Sequence, residues 1–316
     1  MNQPTIVLAG ASGNLGRRIA RALRDRHACV RALVRQGTAP DRLERLQALG
    51  VHIAHVDMSN AREVAEACAG SSCLVSALAG LREAIVDAQA VLLEAAVKAG
   101  VPRFVPSDYS IDFSRLPPGR NRNLDLRREF HGFLDGAPIR ATTIYCGAFA
   151  DLLTGQMPLV LFKFKRVIYW GNADQRMDFT TMDDTAAFTA SAALDPATPR
   201  FLRIAGDQLS ARELTAVATE VMGSRFRLLR AGNLATLAAL ITVARIVAPG
   251  KRQLYPAWQG MQYMRDMFDG RAKLEPLDND RYPGMRWTTA HEVLTANAAR
   301  SAASGRGTNR RPASGT

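Results

Sequence analysis

Short apolar runs alternate with longer helical patterns through the first half of the chain. Six runs have the length and β-branched content of strands: 5–9, 28–34, 51–56, 73–78, 103–106 and 140–145. Between them, apolar residues recur at three- and four-residue spacing over four stretches: 14–26, 41–49, 61–69 and 82–99. This alternation predicts an α/β fold, a doubly wound parallel sheet of the Rossmann type with helices on both faces. Ligands bind such sheets at the carboxyl ends of the strands.

The regular alternation ends near residue 150, and a smaller, mainly helical lobe that adds strands to the sheet is predicted over 151–298. N-cap residues at Thr181 and Ser210 predict helices there, the first over 185–193, and short strands are expected at 201–205 and 225–229. The apolar run 234–243 is shorter than the roughly 18 residues of a membrane span, and we interpret it as a buried helix. The basic tail 299–316 has too few apolar residues to fold and is expected to be disordered.

A glycine-rich segment, GASGNLG, follows the first strand directly and opens the first helix. Residues without a Cβ let the chain turn tightly and let backbone N–H groups approach a pyrophosphate, which the helix N-terminus also attracts. The strand before this turn and the amphipathic helix after it are the context that such a motif requires. We therefore predict a dinucleotide site formed by Gly10, Ser12, Gly13, Asn14, Leu15 and Gly16.

The residue after the second strand indicates which dinucleotide binds. NAD requires a carboxylate there for the ribose hydroxyls, whereas NADP requires a cation for its 2′-phosphate. This position is Arg35, with no acid beside it, which predicts NADP(H). Two alternatives stay open: Arg35 is an ordinary surface arginine, or Arg17 or Arg18 takes its role.

The ends of the next strands supply the other expected cofactor contacts. Asp57 and Met58 follow the third strand and are placed to touch adenine, although Asp57 could equally cap the helix that begins near Asn60. The remaining contacts are expected along the nicotinamide half, after the fourth and fifth strands: Ala77, Leu78, Ala79 and Ser107.

Several segments in order resemble one protein family. GASGNLG, ALVR, HVDMSN, FVPSDYSIDF and GNADQRMDFTTMDDTAAFTASAAL together resemble the NmrA-like and isoflavone-reductase-like group of atypical short-chain dehydrogenases. The resemblance implies that 1–150 is an NADP-binding Rossmann domain and that 151–298 is the substrate lobe. It also implies either hydride transfer to a small organic molecule or a non-catalytic redox-sensing role.

The expected catalytic position departs from that family. Hydride transfer leaves negative charge that a positioned acid must protonate or stabilise. No tyrosine here has a lysine four residues later, as short-chain dehydrogenases commonly do. The resemblance places Arg127 where isoflavone-reductase-like members carry a lysine. Arginine stays protonated, so it can hold a cofactor or stabilise an oxyanion but is a poor proton donor.

Other groups near Arg127 are candidate acids. His131 lies four residues later on the same helix face, but a surface histidine is an equally good interpretation. Tyr109 and Ser107 follow the carboxyl end of the fifth predicted strand, where they could donate a proton or simply line the nicotinamide pocket. The loop 110–125 carries three arginines and is either a lid for an acidic substrate or a solvated loop.

Composition limits the remaining possibilities. The 316 residues are 47% apolar and carry a formal net charge of +12, which admits an anionic partner without identifying it. The four cysteines show neither CxxC spacing nor a partner histidine at metal-ligand spacing, so no metal site and no disulfide frame are expected. Since no export signal is visible, a cytoplasmic location is expected. We expect a small-molecule substrate and no nucleic-acid or membrane partner, while a homodimer and a regulatory partner stay open.

The sequence therefore predicts an NADP(H)-dependent oxidoreductase that transfers a hydride to a small aromatic or enone-like molecule. Arg127, His131 and Tyr109 are its candidate catalytic residues. The alternative is a non-catalytic NADP(H)-binding redox sensor, which the arginine in place of lysine would favour.

Overall fold

The computed structural model describes residues 3–307 and contains one large parallel sheet. Its six strands are β1 (Thr5–Ala9), β2 (Cys29–Val34), β3 (His52–His55), β4 (Cys73–Ser76), β5 (Arg103–Val105) and β6 (Arg140–Ala141). They lie in the order β3-β2-β1-β4-β5-β6, and all neighbours are parallel. The direction of strand order reverses between β1 and β4, which is where ligands bind in doubly wound sheets. The predicted fold class is confirmed.

Helices cover both faces of this sheet. Those of the first half are α1 (Asn14–Asp25), α2 (Pro40–Gln47), α3 (Ala61–Cys68), α4 (Gln89–Lys98) and α5 (Arg122–Leu134). Residues of α1 pack on one face with those of α6 (Met182–Leu194), whereas α3, α4 and α5 bury their apolar sides on the other face. Helix α6 begins three residues before its predicted start, because the Thr181 side chain accepts the Asp184 N–H at 3.0 Å.

The predicted helix over 82–99 is not uniform. Glu83–Ala88 forms a π-helical turn before α4 begins at Gln89. The side chain of Gln89 donates back to the Ile85 carbonyl at 2.7 Å and also reaches the end of β5. π-turns of this kind frequently occur at functional sites.

The sixth predicted strand is interrupted and carries an added strand at its edge. β6 ends before Thr142, whose N–H donates to the Phe104 carbonyl at 3.0 Å, and β7 (Thr143–Tyr145) follows. β7 pairs in parallel with β12 (Phe201–Arg203). A strand from the second half of the chain therefore pairs with β7 in a separate two-stranded sheet that follows β6.

Two small sheets and four helices form the second lobe. One sheet contains β9 (Val160–Leu161), β10 (Arg166–Trp170) and β14 (Arg227–Gly232), and the other contains β8 (Ala148–Phe149), β11 (Met177–Thr180) and β13 (Asp207–Leu209). The helices are α7 (Ala211–Met222), α8 (Leu234–Val247), α9 (Ala257–Asp269) and α10 (Ala290–Gly307). Helix α7 begins with the predicted capping box between Ser210 and Glu213.

Two sequence-based expectations about this lobe are wrong. The interpretation of 234–243 as a buried helix fails, because Leu237 and Ile241 of α8 are buried while Leu240 and Val243 are exposed. Helix α10 continues to Gly307, so 299–307 is helical rather than disordered. The rest of the predicted tail, 308–316, lies outside the described residues.

Arginines of the loop 110–125 form hydrogen bonds that link the first half of the molecule to the second lobe. Arg115 donates to the carbonyls of Lys273 and Glu275 at 3.0 and 2.8 Å. The other two arginines of the loop also bond to the second lobe, Arg120 to Asp266 and Asp269 and Arg122 to the carbonyls of Gln253 and Leu254. Because all three are engaged, this segment is neither a solvated loop nor a free lid.

Candidate active site

The turn between β1 and α1 has a backbone that requires glycine. Gly10 has a φ of +79°, and a Cβ there would lie 2.6 Å from the carbonyl oxygen of Ala77. A Cβ on Gly16 would lie 2.1 Å from the carbonyl oxygen of Gly10. Because real Cβ atoms do not approach a carbonyl so closely, both positions exclude larger residues. Helix α1 therefore packs directly on the turn.

The N-terminus of α1 presents free backbone donors. Gly13 is the N-cap residue and donates its own N–H to the Gly10 carbonyl at 3.0 Å, and no side chain caps the helix. The N–H groups of Asn14, Leu15 and Gly16 precede the first hydrogen bond inside the helix. Such a helix end attracts an anion, as the sequence predicts for a pyrophosphate.

A basic cavity of about 340 Å³ lies beside this helix end. The residues that carry its chemistry are Ser12, Gly13, Asn14, Arg17, Arg42 and Arg45. Arg45 pairs with Asp41 on α2, whereas Arg17 and Arg42 have no carboxylate partner among residues 3–307. Arg18, an alternative in the sequence analysis, bonds to Asp183 of α6 instead. Two unpaired guanidinium groups give this cavity the charge that a phosphate requires.

Sequence reasoning missed Arg42 and Arg45. A signal for them exists, because they are three residues apart on the helix that follows Arg35 and so share one face. Their role becomes visible only when α2 is placed against the N-terminus of α1.

A second cavity, of about 590 Å³, contains the residues predicted to surround adenosine. Arg35, Asp57 and Met58 line it together, and Arg35 is exposed. The Asp57 carboxylate accepts the hydroxyl and the N–H of Ser59 at 2.7 and 2.9 Å, and these bonds lower the pKa of Asp57. Helix α3 is capped by Asn60, so the interpretation of Asp57 as its cap is wrong.

Hydrogen bonds tie together the carboxyl ends of β4 and β5. The Ser107 hydroxyl donates to the Leu78 carbonyl at 2.7 Å, and the Ser107 N–H donates to Gln89 Oε1 at 2.9 Å. Ala77, Leu78 and Ala79 stay at least partly exposed beside this junction. The structure thus brings all four residues predicted along the nicotinamide half to one place, with the Ser107 hydroxyl already engaged.

Arg127 of α5 reaches the same junction. Its Nε donates to the Ser107 carbonyl at 3.1 Å, and its Nη1 donates to the Asn123 carbonyl at 2.9 Å. The guanidinium is half-buried, and these two bonds fix its orientation. A permanent positive charge therefore lies at the end of β5, beside the segment expected to contact nicotinamide.

Tyr263 of α9 is a partly buried tyrosine on which the charge of Arg127 acts electrostatically. Gln262 Oε1 accepts the Arg122 N–H at 3.2 Å, which fixes α9 against the first turn of α5. Burial raises the pKa of Tyr263, and the positive charge of Arg127 partly opposes that shift. The phenol therefore stays protonated at neutral pH. Sequence reasoning gave it no catalytic role, since nothing in the spacing of Arg127 and Tyr263 indicates that the two groups interact.

His131 lies one turn beyond Arg127 but points to a different group. Its Nε2 is 2.6 Å from Asp108 Oδ2, and the Thr143 hydroxyl donates to the same carboxylate oxygen at 2.8 Å. The ring also contacts Phe113, with centroids 5.0 Å apart. Because His131 is only 9% exposed, its interpretation as a surface histidine is wrong. Its position favours a role in holding α5 against the end of β5.

Replacement of His131 by alanine is expected to lower the free energy of unfolding by about 3 kcal/mol, because it leaves the buried Asp108 carboxylate with the Thr143 hydroxyl but without its imidazole partner. Chemical denaturation followed by circular dichroism measures the change. The matched control is His291→Ala, which removes a more exposed histidine that lies 3.4 Å from Glu220. That substitution should lower the free energy of unfolding by less than about 1 kcal/mol. Equal effects would show that the His131 contact does not hold α5.

Tyr109 is not presented to the cleft. It is 8% exposed, its hydroxyl oxygen is buried, and burial raises its pKa. Its neighbours belong to the apolar cluster of α1 and α6, including Ile144 and Cys146. The expectation that Tyr109 donates a proton is therefore corrected: the residue is part of the core.

The described residues show no arrangement for a metal ion. Within 3–307, no group of three His, Cys, Asp or Glu side chains is close enough to bind one. All four cysteines are free thiols, and burial raises the pKa of Cys146 to about 12. The candidate site thus consists of the glycine turn with its basic cavity, the cavity beside Arg35, and the Arg127 guanidinium at the end of β5.

Comparisons with known proteins identify the family and agree with the fold. The profile of the NmrA-like family matches residues 2–279. The bifunctional pinoresinol-lariciresinol reductase of Linum album is 24% identical over 314 residues, which cover 92% of this chain and 93% of the relative. Among solved structures, AtPrR2 with NADP+ and (+)pinoresinol has a TM-score of 0.79 at 21% identity and covers 94% of this chain and 99% of its own. Isoflavone reductase has a TM-score of 0.78 at 21% identity, over 93% of this chain and 99% of its own.

Proposed function

Because the chain belongs to the NmrA-like family, as the sequence resemblance predicted, we propose that it is an NADP(H)-dependent reductase of a small aromatic or enone-like molecule. The observation that carries the proposal is the position of Arg127, at the end of β5 beside Ser107 and the partly exposed segment 77–79. The curated relative above is named a reductase, and a similar solved structure contains NADP+.

The residues of the cleft fit this cofactor. Gly10 and Gly16 leave the space that a Cβ would fill, and the free N–H groups after Gly13 suit a pyrophosphate. Arg42 and Arg17 supply charge for the 2′-phosphate. The adenosine would lie between this cavity and the one lined by Arg35 and Met58, and the nicotinamide would lie toward Ser107.

The bound cofactor would supply the hydride, and the protein would manage the charge that the transfer creates. Arg127 is held by two carbonyl groups, so its guanidinium can stabilise negative charge on the substrate without reorganising. It cannot give up a proton near neutral pH. We assign proton donation to Tyr263, a partly buried phenol that stays protonated and interacts electrostatically with Arg127. His131 would then be a positioning residue, since its ring bonds to Asp108.

Replacement of Arg42 by alanine should weaken NADPH binding about tenfold to a hundredfold and leave NADH binding unchanged. The reason is that a charged hydrogen bond to the 2′-phosphate is lost, and NADH has no such phosphate. Titration calorimetry measures both constants. The control is Arg21→Ala, an exposed arginine one turn beyond Arg17 on α1. Equal losses for NADPH and NADH would show that the basic cavity does not bind the 2′-phosphate.

One observation favours a second candidate, a sensor that binds NADP(H) without turnover: arginine occupies the position where the related reductases are expected to carry lysine. A panel of ketones, enones, quinones and aromatic ethers, with NADPH consumption as the readout, separates the two. Turnover that depends on Arg127 supports the reductase. Tight NADPH binding with no consumption across the panel supports the sensor, and no NADPH binding contradicts both.

A further inference from the structure

One face of α8 presents large aliphatic side chains to solvent. Leu240, Val243, Ile246 and Val247 are 43%, 56%, 76% and 77% exposed, whereas Leu237 and Ile241 on another side of the helix are buried. These four residues, here called the α8 face, occupy successive turns of one helix and so form a continuous patch. A contiguous apolar patch on a protein surface usually marks a binding site.

The chain around the α8 face carries only positive charge. Residues 221–265 contain seven Lys and Arg residues and no Asp or Glu. Arg227 and Arg230 on β14, before the helix, and Lys251 and Arg252, after it, are all exposed. An apolar helix face flanked by exposed cations has the composition of a helix that lies in the interface of an anionic membrane.

Two occupants from the protein itself fit poorly. A second copy in a twofold dimer would place the α8 face and its flanking cations against the same groups of its partner, and like charges repel. The segment 308–316 contains Arg310 and Arg311 and no Leu, Ile, Val, Met or aromatic residue, so it offers nothing to cover aliphatic side chains.

We propose that the α8 face binds an anionic membrane surface. The aliphatic side chains would enter the boundary between headgroups and acyl chains, while the flanking Arg and Lys residues meet the lipid phosphates and carboxylates. A nucleic acid would satisfy the cations but offers no apolar surface for four aliphatic side chains, which do not stack on bases. No helix within 3–307 is long and apolar enough to cross a bilayer, so the contact is peripheral. The proposal revises the sequence-based expectation that no membrane partner exists.

Vesicle sedimentation of the full chain tests this proposal. Vesicles of phosphatidylcholine mixed with phosphatidylserine should bind the protein at least about ten times more strongly than vesicles of phosphatidylcholine alone. Added salt should weaken this preference, because it screens the exposed cations. The readout uses neither cofactor nor turnover, so it is independent of the proposed reductase activity.

Substitutions on exposed positions localise the contact. Val243→Ser combined with Ile246→Ser should weaken binding to the mixed vesicles about tenfold or more, since two inserted side chains are lost. Phe133→Ser on α5 is the matched control, because it removes an apolar side chain that is 53% exposed elsewhere.

Lys251→Glu with Arg252→Glu should remove the preference for phosphatidylserine. Arg21→Glu with Arg62→Glu makes the same change in net charge on other helices and should preserve the preference.

Four results would overturn the proposal. The first is no sedimentation with either vesicle, and the second is an equal loss in the Phe133→Ser control. The third is binding to a short DNA duplex without binding to vesicles, which would assign the cations to nucleic acid. The fourth is a dimer in light scattering that dissociates on Val243→Ser with Ile246→Ser while no vesicles bind, which would make the α8 face a contact between copies.

Discussion

Replacement of Gly16 by alanine is expected to weaken NADPH binding at least about a hundredfold and to lower the free energy of unfolding by about 3 kcal/mol. The added Cβ would lie 2.1 Å from the Gly10 carbonyl oxygen, so α1 and the turn must separate. That movement displaces the N–H groups of Asn14 and Leu15, which are the donors for the pyrophosphate. NADPH fluorescence measures binding, and urea denaturation measures stability.

The control for Gly16 is Gly132→Ala within α5. A Cβ at Gly132 meets no atom within 4 Å, and alanine favours the helix. This variant should keep NADPH binding and either retain or raise stability. If Gly16→Ala behaves like the control, then the close packing of α1 on the turn is not what shapes the cofactor site.

Replacement of Arg127 by alanine should lower kcat of the reduction about a hundredfold or more while changing NADPH affinity much less. The guanidinium is oriented by the Ser107 and Asn123 carbonyls and acts on charge that develops only during hydride transfer. Steady-state kinetics with a substrate from the reductase panel, together with direct NADPH titration, separates the two effects.

Two companion variants sharpen that result. Arg127→Lys keeps a cation at the position and should stay within about tenfold of the parent enzyme in kcat. Tyr263→Phe removes the assigned proton donor and should lower kcat about a hundredfold without weakening NADPH binding. An unchanged kcat in Arg127→Ala would contradict the assigned role of the guanidinium. An unchanged kcat in Tyr263→Phe would show that another group donates the proton.

The features that the sequence predicted well are those set by local pattern. Alternating strands and helices predict the parallel sheet, because short connections between such elements leave few arrangements. Gly10 and Gly16 were found from spacing alone, and each proves to face a backbone carbonyl at a distance that only glycine tolerates. Arg35 was located at the end of its strand in the same way, and it lines one cavity with Asp57 and Met58.

The features that the sequence missed depend on which surfaces meet. Tyr109 and His131 have residue types suited to catalysis, but only the packing shows that both are buried. Tyr263 interacts electrostatically with Arg127 although more than a hundred residues separate them in the sequence, and no spacing rule covers such a separation. The apolar run of α8 suggested burial, since periodicity alone does not show whether a second surface covers a helix.

The central claim is that the cleft at the β1 and β4 strand ends binds NADP(H) and distinguishes it from NAD(H). Titration calorimetry of the unmodified protein with NADPH and then with NADH tests it most directly. We expect saturable binding of NADPH and at least about tenfold weaker binding of NADH. Equal affinity for the two, or heat from neither, would contradict it.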